Sequence, residues 1–118
     1  MRFLFVDRIV EMIPGQVTRG IKHVTRDDAY LKLDAHQRPY FIPSLIGETL
    51  GQLAAWNVMH TQGFRQRPDA GVVSSASWSR PAYVGETLLL ESFIERLDDQ
   101  AVQYHSIARI NGEEVFRV

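Results

Sequence analysis

One long apolar segment constrains the fold of this chain more than any other feature. Residues 43–59 read PSLIGETLGQLAAWNVM, which predicts a single helix whose side chains leave almost no polar face. Pro43 suits the first helical position, where a backbone N–H would have no partner within the helix. A helix of this kind is stable only when most of its sides are covered. We therefore expect a curved sheet on one side and a partner subunit on the other.

Two polar residues, Glu48 and Gln52, interrupt the apolar segment and lie four positions apart, on one face of the helix. Gly47 and Gly51 have the same spacing. Glycine inside a helix costs roughly 1 kcal/mol relative to alanine, so the pair indicates that another backbone or a ligand approaches closely. A carboxylic acid buried without a partner holds its proton and can donate it near neutral pH. The structural alternative is that Glu48 lies at a wet helix end or pairs with an arginine.

The remainder of the chain is typical of antiparallel strands. Strands are predicted at 3–12, 16–25, 71–78, 86–97, 101–110 and 115–118, and 29–33 is either a short strand or a turn. Residues 34–41 are predicted to be an irregular loop, and 60–70 a polar connection. Pro14-Gly15 predicts the turn of a first hairpin, and Asn111-Gly112 predicts a type I′ turn, which needs positive φ at both positions. This order predicts one α+β domain over residues 1–118. Its long strands leave an edge that pairing with a second copy would remove.

Charge and composition exclude several classes of function. The net charge of −1 gives no argument for nucleic-acid binding, and without cysteine there are no disulfides, thiolate metal sites or cysteine nucleophiles. No histidine pair has metal-ligand spacing alongside carboxylates, so we expect no metal and no cofactor. The N-terminal apolar run is too short for a signal peptide and no segment is long enough to span a bilayer. A cytoplasmic location without membrane partners is therefore expected.

Three segments, in order, resemble the 3-hydroxyacyl-[acyl carrier protein] dehydratases of bacterial fatty-acid synthesis. FVDRIVEMIPG followed by GIKHVT resembles the first hairpin of that family. RPYFIPSLIGETLGQLAA resembles its loop-and-helix signature, usually H-F-P-G-R-P-x-x-P-G-x-x-x-x-E-A-x-A-Q. SWSRPAYVGETLLLE resembles its later strand–turn–strand segment, usually R-x-P-V-x-P-G-D-x-L. The resemblance implies a hotdog fold, in which a curved antiparallel sheet wraps a long central helix, and a dimer with a continuous sheet.

The resemblance also implies a reaction and its partners. A histidine of one subunit takes the α-proton of a 3-hydroxyacyl thioester. A carboxylic acid on the helix of the other subunit protonates the departing hydroxyl, and backbone N–H groups near the helix start hold the thioester oxygen. The implied substrates are thioesters of acyl carrier protein or CoA in fatty-acid or polyketide-type synthesis, lying in an apolar tunnel. The implied assemblies are a homodimer, a higher homo-oligomer, or a heterodimer with a paralogous dehydratase.

The family's carboxylate corresponds to Glu48, which precedes Gln52 by four residues as in the signature, and Glu48 is the predicted acid. The family's histidine has two possible counterparts. In one interpretation the loop has lost two residues and His36 is the base. In the other there is no gap and Asp34 takes the place of the base. The second needs no compensating change of length and is favoured on that ground, while His36 is kept as the candidate histidine.

The same comparison predicts which residues bind the substrate. The thioester oxygen would be held at Pro43 or Ser44, and only Ser44 has a backbone N–H. The remaining predicted substrate-binding residues are Gln52, Trp56, Arg65 and Arg67. Arg65 and Arg67 follow the helix and are either part of a solvated loop or a docking patch for an acidic carrier protein or a phosphopantetheine phosphate.

Other distinctive side chains have ordinary structural explanations. Trp56 and Trp78 are predicted to belong to the core or the tunnel wall. His23 and His105 are interpreted as structural or surface residues, and His60 as a favourable charge at the helix end.

Three functions follow from these observations, in order of preference. The first is a dehydratase acting on 3-hydroxyacyl thioesters, with Glu48 as acid and His36 as candidate base. The second is a non-catalytic hotdog subunit that binds acyl chains or pairs with an active dehydratase. The third is a hotdog thioesterase in which Glu48 activates water.

Overall fold

The computed structural model describes residues 5–61, 75–97 and 102–118, which form one helix and nine strands. The elements are β1 (Arg8–Ile13), β2 (Val17–His23), β3 (Leu31–Leu33), β4 (Pro39–Phe41), α1 (Pro43–Thr61), β5 (Ser77–Trp78), β6 (Ala82–Tyr83), β7 (Thr87–Leu97), β8 (Val102–Ile110) and β9 (Glu113–Arg117). The predicted helix is therefore present and runs two residues further than the apolar pattern indicated.

The strands form two antiparallel sheets of unequal size. The large sheet has the order β1-β2-β7-β8-β9-β5, and the small one has the order β3-β4-β6. Helix α1 packs on the large sheet, against β2, β7, β8 and β9. One helix packed on a large antiparallel sheet is the α+β hotdog architecture, so the predicted fold class is confirmed.

The core lies between α1 and the inner face of the large sheet. Ile46, Leu50 and Leu53 are fully buried at helical spacing and face the strands. The fully buried aliphatic residues of the sheet include Leu88, Leu90, Ile110 and Val115. A polar pair lies among them, because the Ser92 hydroxyl donates to the Leu50 carbonyl (3.1 Å) and lies 2.7 Å from the Ser106 hydroxyl.

Both predicted hairpins are present. β1 and β2 pair antiparallel across the Pro14-Gly15 turn, where Gly15 has φ of 73°. The buried Asn57 side chain ties this turn to α1, because its Oδ1 accepts the Gly15 N–H (2.8 Å) and its Nδ2 donates to the Ile13 carbonyl (3.1 Å). Asn111 and Gly112 have φ of 50° and 82°, as a type I′ turn requires.

Several predicted boundaries were wrong. The first strand begins at Arg8 rather than near residue 3, although residues 1–4 lie outside the described part. The stretch 34–41, expected to be irregular, contains strand β4, and the two-residue strand β6 was not expected. The last residues of the ambiguous stretch 29–33 form β3. The predicted connection 60–70 and the first half of strand 71–78 fall mostly outside the described residues.

Within one chain α1 is covered on its sheet-facing side only. Its outer face exposes Ser44, Glu48, Trp56 and His60, so the expectation of a helix covered on most sides does not hold for the single chain. Trp56 and Trp78 are 36% and 46% exposed, and neither lies in the core of the single chain. In the described part of the chain, no helix combines the length and the apolar character needed to cross a membrane.

Candidate functional site

The outer face of α1 carries the predicted acid. Glu48 is exposed, and its carboxylate makes no hydrogen bond or ion pair with any described residue. The next residue, Thr49, is buried and donates its hydroxyl to the Leu45 carbonyl (2.6 Å). The helix therefore turns Glu48 away from the core and leaves its carboxylate available to a group outside this chain.

The two helix glycines lie where aromatic side chains of the sheet meet α1. A Cβ on Gly47 would lie 3.3 Å from Cζ of Phe116, and a Cβ on Gly51 would lie 3.6 Å from the hydroxyl oxygen of Tyr104. The close approach predicted from the glycines is present, but the approaching groups are side chains of β9 and β8. The glycines therefore allow Phe116 and Tyr104 to reach the helix beside Glu48.

Tyr104, to which the sequence assigned no role, lies against the helix turn that carries Glu48. It is half-buried, and its hydroxyl makes no hydrogen bond with any described residue. Burial raises the pKa of Tyr104, and the charge of Glu48 raises it further, so the phenol keeps its proton at neutral pH. The available sequence signal was that Tyr104, Ser106 and Ala108 alternate along one face of a strand.

The predicted substrate-binding residues on α1 have different surroundings. The Gln52 side-chain oxygen accepts the Phe5 N–H (2.8 Å) and so anchors the N-terminal segment to the helix. Trp56 lies two turns beyond Glu48 on the exposed face and remains accessible. Trp56 therefore has surface to offer a ligand, whereas the Gln52 oxygen already has an internal partner.

The start of α1 provides one exposed backbone donor. Pro43 is the first residue of the helix and has no N–H, while the Leu45 N–H donates to the Ile42 carbonyl (2.9 Å). Ser44 is exposed between them. The first N–H groups of a helix lack intrahelical acceptors and point outward, so the Ser44 N–H is the donor that the helix start presents.

The loop between β3 and β4 is organised by Asp34. Its Oδ1 accepts the N–H groups of His36 and Arg38 (2.9 Å each), and its Oδ2 accepts the Tyr83 hydroxyl (2.9 Å). The bond from the Arg38 N–H does most to lower the pKa of Asp34, and the Tyr83 and His36 donors add to this while burial opposes it. A carboxylate stabilised in this way holds a proton weakly.

The same loop presents His36 to solvent. His36 is exposed, and its imidazole makes no hydrogen bond or ion pair with any described residue. The following residue, Gln37, has φ of 63° and turns the chain back toward β4. The Arg38 guanidinium lies 3.7 Å from the ring centroid of Tyr83, which is itself bonded to Asp34. Asp34, Arg38 and Tyr83 thus fix the loop, and the His36 imidazole is left accessible on it.

The other histidines have local partners or helix-end positions. His23 Nδ1 lies 2.9 Å from the Thr87 hydroxyl, and His105 pairs with Glu95 (2.6 Å). His60 lies in the last turn of α1. These placements agree with the structural interpretation given to all three.

The predicted docking arginines, the implied acyl tunnel and a metal site are not found among the described residues. Arg65 and Arg67 lie outside the described residues. A groove of about 100 Å³ lies between β5 and β9, lined by Trp78 and Phe116 among others. Ligand pockets usually span about 300–1,000 Å³, so this groove is too small to be the implied acyl tunnel. Across 5–61, 75–97 and 102–118, no three His, Asp or Glu side chains are grouped as a metal ion would require.

Sequence comparison finds similar proteins along nearly the whole chain, although no family model matches it. The chain is 32% identical over 116 residues to the 3-hydroxyacyl-[acyl-carrier-protein] dehydratase FabZ of Roseiflexus sp., covering 96% of this chain and 80% of that protein. It is 30% identical over 115 residues to the FabZ of Caldanaerobacter subterraneus, with the same coverage of both chains. The FabZ of Rhodospirillum rubrum is 29% identical over 112 residues, covering 92% of this chain and 70% of that protein.

Structure comparison supports the fold. The PaaI protein of the Escherichia coli phenylacetic acid degradation operon superposes with a TM-score of 0.62 at 21% identity, covering 93% of this chain and 78% of that one. A mutant form of the phenylacetic acid degradation protein PaaI from Thermus thermophilus has a TM-score of 0.59 at 18% identity, covering 93% of this chain and 85% of that one. At these identities the likeness concerns the architecture alone.

Proposed function

The chain belongs to the 3-hydroxyacyl-[acyl-carrier-protein] dehydratase family, and we propose that it removes water from 3-hydroxyacyl thioesters of acyl carrier protein. The α-proton of such a substrate is weakly acidic and hydroxide is a poor leaving group. The reaction therefore needs a base, an acid and a donor for the thioester oxygen. A cytoplasmic location remains a prediction from the sequence.

The observation that carries this proposal is the Glu48 carboxylate. It is exposed on α1 and makes no hydrogen bond or ion pair with any described residue. Gly47 directly precedes Glu48, and Gly51 follows it by three residues. Structural carboxylates of this chain, such as Glu86 with Arg80, have defined partners. In our proposal the protonated Glu48 gives its proton to the oxygen that leaves C3 of the substrate.

Between the two candidate bases we propose His36. The ungapped alignment favours Asp34, but its carboxylate already accepts three hydrogen bonds that lower its pKa, and such a group is a weak proton acceptor. The His36 imidazole is exposed and makes no hydrogen bond or ion pair with any described residue. Asp34 then acts as the organiser of the loop that carries the base, and the Ser44 N–H is the proposed donor to the thioester oxygen.

We propose that the complete site forms between two copies of this chain. The large sheet has two edges, β1 and β5, and β1 is interrupted by a bulge between Ile9 and Glu11, which protects an edge from pairing. The β5 edge ends in the exposed Trp78. Pairing through β5 would extend the sheet and bring a second chain toward the uncovered face of α1, where Glu48 lies.

Hydration of a short 2-enoyl thioester of acyl carrier protein, the reverse reaction, tests the proposal through the loss of enoyl ultraviolet absorbance. We expect Glu48→Gln and His36→Gln each to lower kcat/KM by about 10²–10⁴-fold, the usual contribution of a positioned acid or base. Asp34→Asn should keep kcat/KM within about tenfold of wild type, because it removes a loop partner rather than the base. A loss with Asp34→Asn as large as that expected for His36→Gln would instead identify Asp34 as the base.

Matched controls separate these effects from general loss of charge. Glu113 is an acidic side chain 61% exposed on β9, and His23 is an exposed histidine on β2. Glu113→Gln and His23→Gln should leave the rate unchanged. The dehydratase proposal fails if the wild-type protein, folded and dimeric by sedimentation, does not hydrate the thioester above the rate of Glu48→Gln.

A second candidate function is a non-catalytic acyl-binding subunit. Pro43 begins the helix without an N–H, and Asp34 occupies the ungapped position of the histidine with both oxygens bonded. This alternative predicts that the protein binds acyl-acyl carrier protein without turnover and changes the rate of an active paralogous dehydratase when mixed with it. Release of free thiol in the same assay would indicate the thioesterase alternative, with Glu48 activating water.

A further inference from the structure

A tyrosine hydroxyl lies beside the helix turn that carries Glu48. Tyr104 is on β8, and its oxygen lies 3.6 Å from the position of a Cβ on Gly51. Gly51 follows Glu48 by three residues, and residues three apart are neighbours on a helix surface. The phenol therefore packs against the helix turn that also carries Glu48.

Among the described residues, an apolar side chain packs on the same part of the helix as Tyr104, and a charged group acts on the Tyr104 hydroxyl. Phe116 provides an apolar wall against Gly47, and the Tyr104 hydroxyl makes no hydrogen bond with any described residue. Glu48 is the charged group, among the described residues, that acts on the Tyr104 phenol, and its negative charge adds to burial in raising the pKa of Tyr104. The phenol is therefore a protonated donor against the same helix turn as Glu48, and neither group has a hydrogen-bond partner among those residues.

We propose that Tyr104 is a positioning residue of this site: in the assembled site its hydroxyl, which has no hydrogen-bond partner among the described residues of the single chain, donates a hydrogen bond to the Glu48 side chain and directs the acidic proton of Glu48 toward the leaving hydroxyl of the substrate. This inference rests on the dehydratase function proposed above. It adds a third side chain, from β8, to the acid on α1 and the base on the β3–β4 loop.

The reaction step balances without an additional reactant. The C2–H bond breaks as the imidazole of His36 takes the proton, and its electron pair forms the C2–C3 double bond. The C3–O bond breaks, and the oxygen takes the proton of Glu48 and leaves as water. Tyr104 keeps its own proton and stabilises the carboxylate left on Glu48, and solvent returns the proton from His36 to Glu48.

The pairing can be tested without catalysis by nuclear magnetic resonance of tyrosine labelled at Cζ, titrated with alkali. Glu48→Gln should lower the pKa of Tyr104 and leave that of Tyr83 unchanged, because Glu48 raises only the first. Asp34→Asn should do the reverse, because the hydrogen bond to Asp34 does most to raise the pKa of Tyr83. Tyr104→Phe assigns the resonance. A Tyr104 titration that Glu48→Gln does not move overturns the inference.

The catalytic part of the inference is tested with Tyr104→Phe, which keeps the packed ring and removes the hydroxyl. We expect kcat for enoyl-thioester hydration to fall about tenfold with KM within about twofold, since the bond acts on the acid rather than on substrate binding. Tyr40→Phe on β4 is the matched control and should leave kcat unchanged. An unchanged kcat in folded Tyr104→Phe overturns the positioning role.

The two proposals fail in distinguishable ways. If the wild-type protein has no activity while Glu48→Gln still lowers the pKa of Tyr104, the pair exists but its catalytic role is refuted together with the dehydratase function. If the wild-type protein is active and the titration of Tyr104 does not respond to Glu48→Gln, only the present inference is refuted.

Discussion

Gly20 gives the sharpest stability prediction, because three elements meet at its Cα. It lies in β2, and a Cβ there would be 2.8 Å from the carbonyl oxygen of Arg8, 3.0 Å from Cδ1 of Leu53 and 3.4 Å from Cγ1 of Val6. The Arg8 oxygen belongs to the main chain of β1, and Leu53 is fully buried in the core. Neither group can move without disturbing the sheet or the helix, so Gly20→Ala should be destabilising.

Two opposing contributions set the size of this effect. Overpacking a filled site costs about 1–3 kcal/mol, whereas replacing glycine by alanine restricts the unfolded chain and stabilises by about 0.4–1 kcal/mol. Because the 2.8 Å contact is with a main-chain oxygen, we take the overpacking cost as about 2–2.5 kcal/mol, and the net loss in free energy of unfolding is then about 1–2 kcal/mol. For a domain of this size 1 kcal/mol corresponds to about 4 °C in Tm, so Gly20→Ala should lower Tm by about 4–8 °C.

The same substitution at Gly51 is the matched control. There the new Cβ would lie 3.6 Å from Tyr104, an ordinary contact, and alanine gains roughly 1 kcal/mol in helix propensity. Gly51→Ala should therefore raise Tm by about 4 °C. Urea unfolding followed by circular dichroism measures the free energy of unfolding of both variants, and thermal unfolding measures their Tm, each at one fixed protein concentration. A Gly20→Ala protein as stable as wild type would refute the argument from close packing.

Two further predictions concern stability. The Glu86 carboxylate accepts hydrogen bonds from the Arg80 guanidinium (3.0 and 2.9 Å) and from the Tyr83 N–H (2.9 Å). The bond from Arg80 does most to lower the pKa of Glu86 below its ordinary 4.5, while burial opposes this shift. A carboxyl group whose pKa is lower in the folded state stabilises the fold at pH values above its unfolded-state pKa. This stabilisation is lost as the pH falls through its folded-state pKa. Glu86→Gln should therefore flatten the decline of unfolding free energy below pH 4.5, seen in urea titrations at several pH values. Asn57→Ala leaves the Gly15 N–H and the Ile13 carbonyl without this partner and should cost about 2–3 kcal/mol, and a loss under about 0.5 kcal/mol at an unchanged m-value would contradict it.

The parts of the fold that follow local rules could be predicted from the sequence. Pro43 and the continuous apolar run identified α1, because proline marks its start and the apolar residues continue over nearly its whole length. Asn111-Gly112 identified the last hairpin, because few residues tolerate positive φ. The long strands β7 and β8 were found because each extends over enough residues for its apolar pattern to be recognised.

The small sheet could not be predicted in the same way. Its strands β3, β4 and β6 have two or three residues each, too few to show alternation. Their pairing depends on contacts between distant segments, such as Tyr40 with Tyr83. The role of Asp34 depends on the same kind of contact, since its Tyr83 partner is 49 positions away. Sequence could identify two candidates for the base but not the hydrogen bonds of Asp34 on which our proposal of His36 rests.

The outer face of α1 shows a different limit. Its apolar composition predicted burial on most sides, yet Trp56 is exposed in the single chain and Glu48 lies on the same side. The apolar composition of a helix reflects all the surfaces that cover it, including any that a second subunit provides. It does not say which of those surfaces belong to the same chain.

The order of strands in the large sheet has a consequence for biosynthesis. β2 precedes α1 in the chain but pairs with β7, and the strands β7, β8 and β9 that also cover α1 leave the ribosome after the helix. Roughly 50 more residues must be translated after the helix before β9 is available. At about 5–20 residues per second, the apolar side of the helix therefore stays partly uncovered for about 3–10 s. Nascent chains of this protein should therefore depend on chaperones during that interval, and slow translation downstream of the helix should favour aggregation.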